Sequence, residues 1–331
     1  MNEHRVGYSR ALVGRVRAAA VFAAFAVAAI ALACSMSAAR ATDLGPAPGA
    51  VPADAPADRW QVEVTPYGWL INLKGENTVE GITASVDATF IDIVEEADTI
   101  VALEGRMEAR KGRFSLLSLS DYFKATFSQG VAANAQPIPQ LAIDIEASVE
   151  LDLELTLSEL SATFELFKKW HGEPAAWKGG YGARRGFTAL DVVAGGRYNS
   201  VEITTDVLLN VGAKLTPDIV PISITNTGQI RARIAADEQW VDPFVGLRLR
   251  MDSGTGYQFY ARGDVGGFSA SSDFVWQAIA GVMGQCRCNE NLSWTVGYRA
   301  LDIDYSTGSG SDEFVFDMLI HGPVIGATWR F

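Results

Sequence analysis

The chain has 331 residues, of which 48% are hydrophobic, and its 27 lysines and arginines against 39 aspartates and glutamates give a formal net charge of −12. This acidic balance disfavours nucleic acid as a partner, because neutralising phosphates requires clustered Lys and Arg. No stretch beyond the first 41 residues approaches 18 consecutive apolar residues, so that part of the sequence contains no candidate transmembrane helix.

Residues 1–41 are predicted to be a cleaved signal peptide. Four arginines precede an apolar run from Ala18 to Ala33, and Ala39-Arg40-Ala41 fits the small-x-small rule for cleavage. A lipoprotein site at Cys34 is the weaker alternative. Cleavage removes five arginines and one glutamate, which leaves 22 basic and 38 acidic residues and a net charge of −16. Residues 42–58, with four prolines, are predicted to be a periplasmic lead-in, and residues 59–331 a single folded domain.

Two segments show how the strands of this domain alternate. Leu103, Gly105, Met107 and Ala109 share one face of a predicted strand, whose other face is charged. In Val149–Leu157 the aliphatic residues likewise alternate with acidic ones. The apolar residues move from one set of alternate positions to the other after Pro66 and again after Glu159, and each of these changes predicts a β-bulge.

The charged faces of the predicted strands are expected to line the interior of a barrel, because lipid-facing and lumen-facing residues alternate in such walls. The candidate lumen-lining residues are Glu104, Arg106, Glu108, Arg110, Glu150, Asp152, Glu154, Asp191, Arg197, Asp242, Arg248, Arg250, Arg262 and Asp264.

The C-terminus ends on an alternating segment in which Ile325, Ala327, Trp329 and Phe331 share one face. A soluble C-terminal strand is one explanation of this pattern. The segment resembles the C-terminal signature by which bacterial outer-membrane β-barrels are recognised for assembly. Trp329 and Phe331 are accordingly predicted to be the assembly signal, with the outer-membrane assembly machinery as a partner.

The strand count is predicted to be twelve, including a weakly patterned strand near Ile222–Ile234. Ten strands remain possible if the first two segments, separated by an expected turn at Gly75, pair differently. An even count is expected because both ends of the chain should lie in the periplasm. With twelve strands, the basic and aromatic segment Lys168–Gly186 becomes a long outer loop, either simply solvated or in contact with lipopolysaccharide phosphates.

Residues that could carry chemistry are few. Cys286 and Cys288 are two positions apart, a spacing that disfavours a disulfide between them, and they are interpreted as small residues in a turn. His171 lies in the predicted loop, whereas His321 faces the lumen if Gly322-Pro323 forms a bulge and lipid if it does not. No catalytic, metal or cofactor motif is found in the mature chain, so no cofactor and no enzymatic activity are predicted.

Nearly the whole mature chain, from Trp60 to Phe331, resembles proteobacterial outer-membrane β-barrel proteins of the porin-like kind. The resemblance is carried by Thr65–Leu70, Glu108–Phe123, Leu190–Ser200, Asp242–Arg250, Arg262–Phe268, Gly297–Tyr305 and His321–Phe331. It implies an all-β fold, a single transmembrane antiparallel β-barrel in the outer membrane, surrounded by lipid and lipopolysaccharide, and it implies no ligand.

Three functions follow as hypotheses. The favoured one is a narrow passive pore for small solutes, whose charged lumen sets ion selectivity. The alternative is a closed structural barrel that makes surface contacts through its extracellular loops. The least favoured is a lipid-modifying enzyme that depends on His321.

Overall fold

The computed structural model describes residues 60–138, 141–176, 183–215, 224–286, 289 and 291–331. The predicted signal peptide and lead-in lie outside these ranges. In the described ranges, no helix has both the length and the apolar character needed to cross a membrane.

The described residues form twelve strands in a single antiparallel sheet. The strands are β1 (Gln61–Trp69), β2 (Asn72–Val79), β3 (Ile82–Ala88), β4 (Thr99–Lys111), β5 (Phe114–Ile138), β6 (Leu141–Ala176), β7 (Ala183–Leu215), β8 (Ile224–Asp252), β9 (Tyr257–Gly266), β10 (Phe274–Gln285), β11 (Leu292–Thr307) and β12 (Phe314–Arg330). One α-helix, α1 (Phe90–Glu96), joins β3 to β4, and a short 3-10 helix, Gly310–Asp312, joins β11 to β12.

The sheet closes on itself because β1 pairs with β4 on one side and with β12 on the other. From β4 to β12 each strand pairs with the next strand in the sequence. The predicted antiparallel barrel and its count of twelve strands are therefore confirmed. In the described residues the closed ring consists of β1 and the nine strands β4 to β12, which is the alternative count of ten.

The β2–β3 hairpin explains the difference between the two counts. Along one edge of β12, β1 covers Val324–Arg330 and β2 covers Phe314–His321, so β1 and β2 together act as one wall strand. The expected turn at Gly75 is wrong. Gly75 lies within β2, where an added Cβ would collide with the carbonyl oxygen of Asp317, and the chain turns at Glu80 and Gly81, both of which have positive φ.

The two ends of the barrel differ. The terminal end holds Gln61 and Arg330 together with the short connections that follow β4 and β8, and at the opposite end β5, β6, β7 and β8 extend far past β9. The described parts of the segment Lys168–Gly186 lie at the terminal end, where Lys168–His171 pairs with Gly186–Ala189. The prediction of an outer loop places this segment at the end opposite to the chain termini and is therefore wrong. The reason is that β2 and β3 do not cross the wall as two separate strands.

Helix α1 begins at a complete capping box at the opposite end of the barrel. The Thr89 side chain accepts a hydrogen bond from the Asp92 amide, and the Asp92 carboxylate accepts one from the Thr89 amide at 2.9 Å. The Thr89 hydroxyl also donates a hydrogen bond to the Asp92 carboxylate at 2.6 Å, and this bond, together with the one from the Thr89 amide, holds the pKa of Asp92 below its ordinary value. Ile93 anchors the helix by burying its side chain among apolar residues inside the barrel.

We expect Thr89→Ala to destabilise α1 by about 1 kcal/mol, because one helix amide loses its capping oxygen. Faster amide hydrogen exchange in α1, with unchanged exchange in β9–β12, is the expected result. Since a lowered pKa means that the ionised carboxylate is the stabilising form, this contribution should be present at neutral pH and lost on acidification through the pKa of Asp92. Equal exchange in both proteins would contradict the role of the cap.

Candidate functional site: the barrel wall and its interior

The outer face of the wall carries a continuous apolar belt. On β8, Val241, Val245, Leu247 and Met251 point outward and are between 40% and 54% exposed. Large apolar side chains are similarly exposed on the outward faces of β4, β9, β11 and β12. The belt covers about 11 residues of β8, which is the length that a tilted strand needs to cross a bilayer.

Aromatic side chains lie at both edges of the belt. Exposed aromatic residues at the terminal end include Trp60, Phe114, Tyr257, Trp294 and Phe331, and those at the other edge include Tyr198, Phe274 and Tyr298. A closed sheet with an apolar exterior, a charged interior and two aromatic girdles is the architecture of outer-membrane barrels. The chain is an outer-membrane β-barrel. Because such barrels have short periplasmic turns and longer extracellular extensions, the terminal end of this outer-membrane β-barrel, with its short connections after β4 and β8, is its periplasmic end.

No family model and no curated protein matches the chain. Several solved outer-membrane proteins are similar to it at low identity. The attachment invasion locus protein Ail of Yersinia pestis is 8% identical, with 82% of this chain and 98% of Ail covered and a TM-score of 0.25. The translocator domain of the autotransporter NalP from Neisseria meningitidis is 10% identical, with coverage of 84% and 91% and a TM-score of 0.30. OmpT of Vibrio cholerae is 8% identical, with coverage of 82% and 98% and a TM-score of 0.21.

The interior near the periplasmic end is occupied by charged side chains, which we call the periplasmic cluster. Arg248 donates to both carboxylate oxygens of Glu108 at 2.9 and 3.0 Å and to Asp191 at 2.9 Å. Arg250 bridges Asp191 and Glu165, each at distances of 2.8 to 2.9 Å. The cluster comprises Arg106, Glu108, Arg110, Glu165, Asp191, Arg248 and Arg250.

A second group of ion pairs, the central cluster, lies further along the barrel. Arg197 contacts Glu159 and Asp264 at 3.3 and 2.8 Å, and Arg262 contacts the same two carboxylates. Arg299 contacts Asp121 at 2.6 Å and lies 4.2 Å from the ring centre of Trp69. The central cluster consists of Asp121, Glu159, Arg197, Arg262, Asp264 and Arg299.

Two further acidic residues inside the barrel are held by uncharged donors. Asp242 accepts hydrogen bonds from the side chains of Asn199 and Trp240 at 2.8 and 2.9 Å and from the Ser272 amide at 2.9 Å. Glu104 accepts a hydrogen bond from the Trp69 amide. Because a buried carboxylate is costly unless it is paired or hydrogen-bonded, these donors retain both acids in the interior.

Beyond the central cluster, toward the extracellular end, the interior becomes apolar. Leu301, Ile303 and Ile320 are fully buried there, and the rings of Trp240 and Tyr305 stack with 4.0 Å between their centres. Ile93 of α1 packs into the same group, so the helix covers the apolar filling from within the barrel. We call this filling the upper apolar core. Its buried members are Trp69, Ile71, Leu73, Ile93, Phe123, Ala125, Leu155, Leu157, Val201, Ile203, Trp240, Val275, Leu301, Ile303, Tyr305, Phe314, Phe316, Met318, Ile320 and Val324.

The inner and outer faces exchange character where the strands leave the belt. On β6 the inner face changes from Glu159, within the belt, to Leu157 and Leu155, while the pairing with β5 and β7 continues without a shift. On β11 it changes in the same way from Arg299 to Leu301. The predicted bulges after Pro66 and Glu159 are therefore wrong, because the apolar residues change face without any change of register.

Eleven of the fourteen candidate lumen-lining residues lie on the inner face and three do not. Glu150, Asp152 and Glu154 share the outer face of β6 with Leu160, so their predicted lumen position is wrong. Lys124 pairs with Glu154 at 3.0 Å, and Thr126 donates to Asp152 at 2.6 Å. The acids lie outside because this part of β6 projects beyond the belt, where the exterior meets water.

The two histidines of the described chain have simple hydroxyl partners. His321 lies on the outer face with Phe331, since β11 and β12 pair without a bulge at Gly322-Pro323, and its Nδ1 is 2.6 Å from the Tyr298 hydroxyl. His171 is 2.9 Å from the Thr188 hydroxyl. In the described ranges, no group of three or more His, Cys, Asp or Glu side chains is arranged to hold a metal ion.

Cys286 at the end of the β10–β11 hairpin is disulfide-bonded, so its interpretation as a mere small turn residue is wrong. The other cysteines of the chain, Cys34 and Cys288, lie outside the described residues. A disulfide is compatible with export, since disulfides form and persist in the oxidising periplasm.

The predicted assembly residues lie at the seam where the barrel closes. Phe331 is exposed, its amide donates to the Val62 carbonyl at 2.8 Å, and its ring lies 6.4 Å from that of Trp329. Close by, Arg330 contacts Glu63 at 2.7 Å.

Four charged residues that form ion pairs inside the barrel were not predicted from the sequence: Asp121, Glu159, Glu165 and Arg299. Glu159, Glu165 and Arg299 belong to strand faces that are polar within the belt and apolar beyond it, so a comparison of the two halves of β6 and β11 would have revealed them. Asp121 has no such signal, because it follows the buried Leu117 and Leu119 on the inner face of β5.

Proposed function

We propose that this outer-membrane β-barrel is closed to solutes and serves as a membrane-anchored contact surface. The observation that carries the proposal is the burial of its interior charges. Asp191, Asp242 and Arg197 are no more than 1% exposed, although they lie on the inner face of the wall. A water-filled channel would leave such side chains accessible to water, as in the larger porins.

The paired charges also argue against a selective pore. Each central arginine contacts a carboxylate at 2.5 to 3.3 Å, so a passing ion would have to compete with contacts already made. Beyond the central cluster an ion would enter the upper apolar core. The apolar side chains there cannot replace the water molecules of its hydration shell, so its transfer would be costly in free energy. Both halves of the interior thus support a closed barrel over the favoured sequence hypothesis of a narrow pore.

The contact role is supported by the strands that project from the membrane. Strands β6, β7 and β8 have 36, 33 and 29 residues, whereas a membrane crossing needs about 9 to 11. Their projecting outer faces are rich in acid, with Glu154, Glu202 and Asp237 side by side on the three strands. Lipopolysaccharide and outer-membrane lipid are the expected surroundings.

An enzymatic role receives no support from the histidines. His321, on the outer face, is hydrogen-bonded to the Tyr298 hydroxyl. His171, at the other end of the barrel, is hydrogen-bonded to a threonine hydroxyl. We therefore propose a non-enzymatic protein.

Planar-bilayer recording of the refolded full chain at neutral pH tests the proposal. Folded protein, identified by heat-modifiable mobility in a detergent gel, should insert and give no steady conductance steps. Stable cation-selective openings from the same preparation would refute the closed barrel.

A further inference from the structure

The periplasmic cluster holds more positive than negative charge. Among the described side chains, Glu63 and Asp252 do not balance this excess, because Glu63 pairs with Arg330 at 2.7 Å and Asp252 accepts a hydrogen bond from the Gly254 amide at 2.7 Å in the β8–β9 turn. An uncompensated excess in a largely buried region is costly. Around the carboxylates of Glu108, Glu165 and Asp191 lie the cations of Arg106, Arg110, Arg248, Arg250 and Lys168.

Three of these cations converge at the periplasmic mouth. The Nη2 of Arg110 and the Nε of Arg250 contact the same Asp191 oxygen at 3.4 and 2.8 Å. Arg250 and Lys168 both lie against the ring of Phe187, at 5.8 and 4.5 Å from its centre. Asp191 and Phe187 therefore hold the two guanidinium groups and the ammonium group near one another.

Among the described residues, one buried donor at this place lacks an acceptor, and a neighbouring exposed ammonium has no ion pair. The Nη1 of Arg110 is buried and has no hydrogen-bond partner. Lys168 forms no ion pair within the described part of the chain and lies 4.2 Å from the ring centre of Trp170. A buried donor without an acceptor costs free energy, so the arrangement is one acceptor group short.

We propose that Lys168, Arg110 and Arg250 form a binding site for a phosphoryl oxyanion at the periplasmic mouth of the barrel. A phosphoryl group offers several acceptor oxygens and negative charge, which match the unpaired Nη1 of Arg110, the positive charge of Arg250 and the ammonium of Lys168. It can come from free phosphate in the periplasm or from the headgroup of a phospholipid in the inner leaflet.

Lys168→Gln in the full chain tests the site, with Lys169→Gln as a matched control. Lys169 is the next residue, is also exposed, and pairs with Thr188 on the opposite face of the strand. Both variants remove one positive charge at the same end of the barrel. Because both side chains are exposed, both variants should fold, which heat-modifiable gel mobility verifies.

Two probes distinguish the sources. Inorganic phosphate is titrated into detergent-solubilised protein by calorimetry, and phosphatidylglycerol retention in mixed phosphatidylethanolamine nanodiscs is measured by native mass spectrometry. Phosphate binding that weakens about tenfold in Lys168→Gln and is unchanged in Lys169→Gln supports a free oxyanion. Selective loss of phosphatidylglycerol from Lys168→Gln alone supports a headgroup. Binding of neither probe, or equal losses in both variants, would overturn the site.

Discussion

Arg299→Met is expected to destabilise the barrel by about 3 to 5 kcal/mol, because it leaves a buried carboxylate without its cation. Asp121 pairs with Arg299 at 2.6 Å, and its other partner is the uncharged Tyr67 hydroxyl at 2.5 Å. The substitution also removes the hydrogen bond from Arg299 to Gln277. Urea unfolding of the protein in lipid vesicles, followed by tryptophan fluorescence, measures the loss.

Two further variants isolate the cause. Arg231→Met removes the same charge from an exposed position of β8 and should change stability by less than about 0.5 kcal/mol. Adding Asp121→Asn to Arg299→Met should recover a substantial part of the loss, since the buried charge then disappears. If Arg299→Met and Arg231→Met unfold at the same urea concentration, the interior ion pair is not what stabilises this region.

Leu247→Arg should cost about 2 to 4 kcal/mol, the amount expected for a cation on the lipid face near the bilayer midplane. Leu247 is 51% exposed and lies near the middle of the β8 belt, between Val241 and Met251. The same vesicle assay measures this cost.

The control for this prediction lies on the same face of the same strand. Ala235 is exposed and points outward, but lies beyond Val241 in the projecting part of β8. Ala235→Arg should therefore leave stability nearly unchanged, because the new side chain stays in water. A large cost for Ala235→Arg would place the membrane boundary higher on the strand than the apolar belt indicates.

Short alternating strands were predictable from the sequence because a single environment acts on each of their faces. Arg248 and Arg262 follow the period-two rule throughout the belt and lie inside as expected. The rule gave the wrong face for Glu150, Asp152 and Glu154. The same alternation occurs there beyond the membrane, and the apolar residues between these acids face the interior. Periodicity identifies which residues share a face, but the surrounding medium decides which face is inside.

The interior of the barrel was less predictable than its wall. Pairs such as Arg197 with Asp264 join strands that are far apart in the sequence, and no local pattern encodes such a contact. The count of ring strands depended on the β2–β3 hairpin, whose two segments alternate in the same way as wall strands. Their role became visible only in their pairing, where β2 continues the line of β1 along β12.

The seam between β1 and β12 has a consequence for how the protein folds. Strands β4 to β12 pair with sequence neighbours and can assemble progressively, whereas the seam joins Thr65 to Thr328 and Glu63 to Arg330, the last pair separated by 267 positions. Contacts between residues so far apart in the sequence form slowly, because closing the long intervening loop costs conformational entropy before the contacts can form. Ring closure is accordingly the expected rate-limiting step, and the chain commits to its final form only after its last strand has been synthesised.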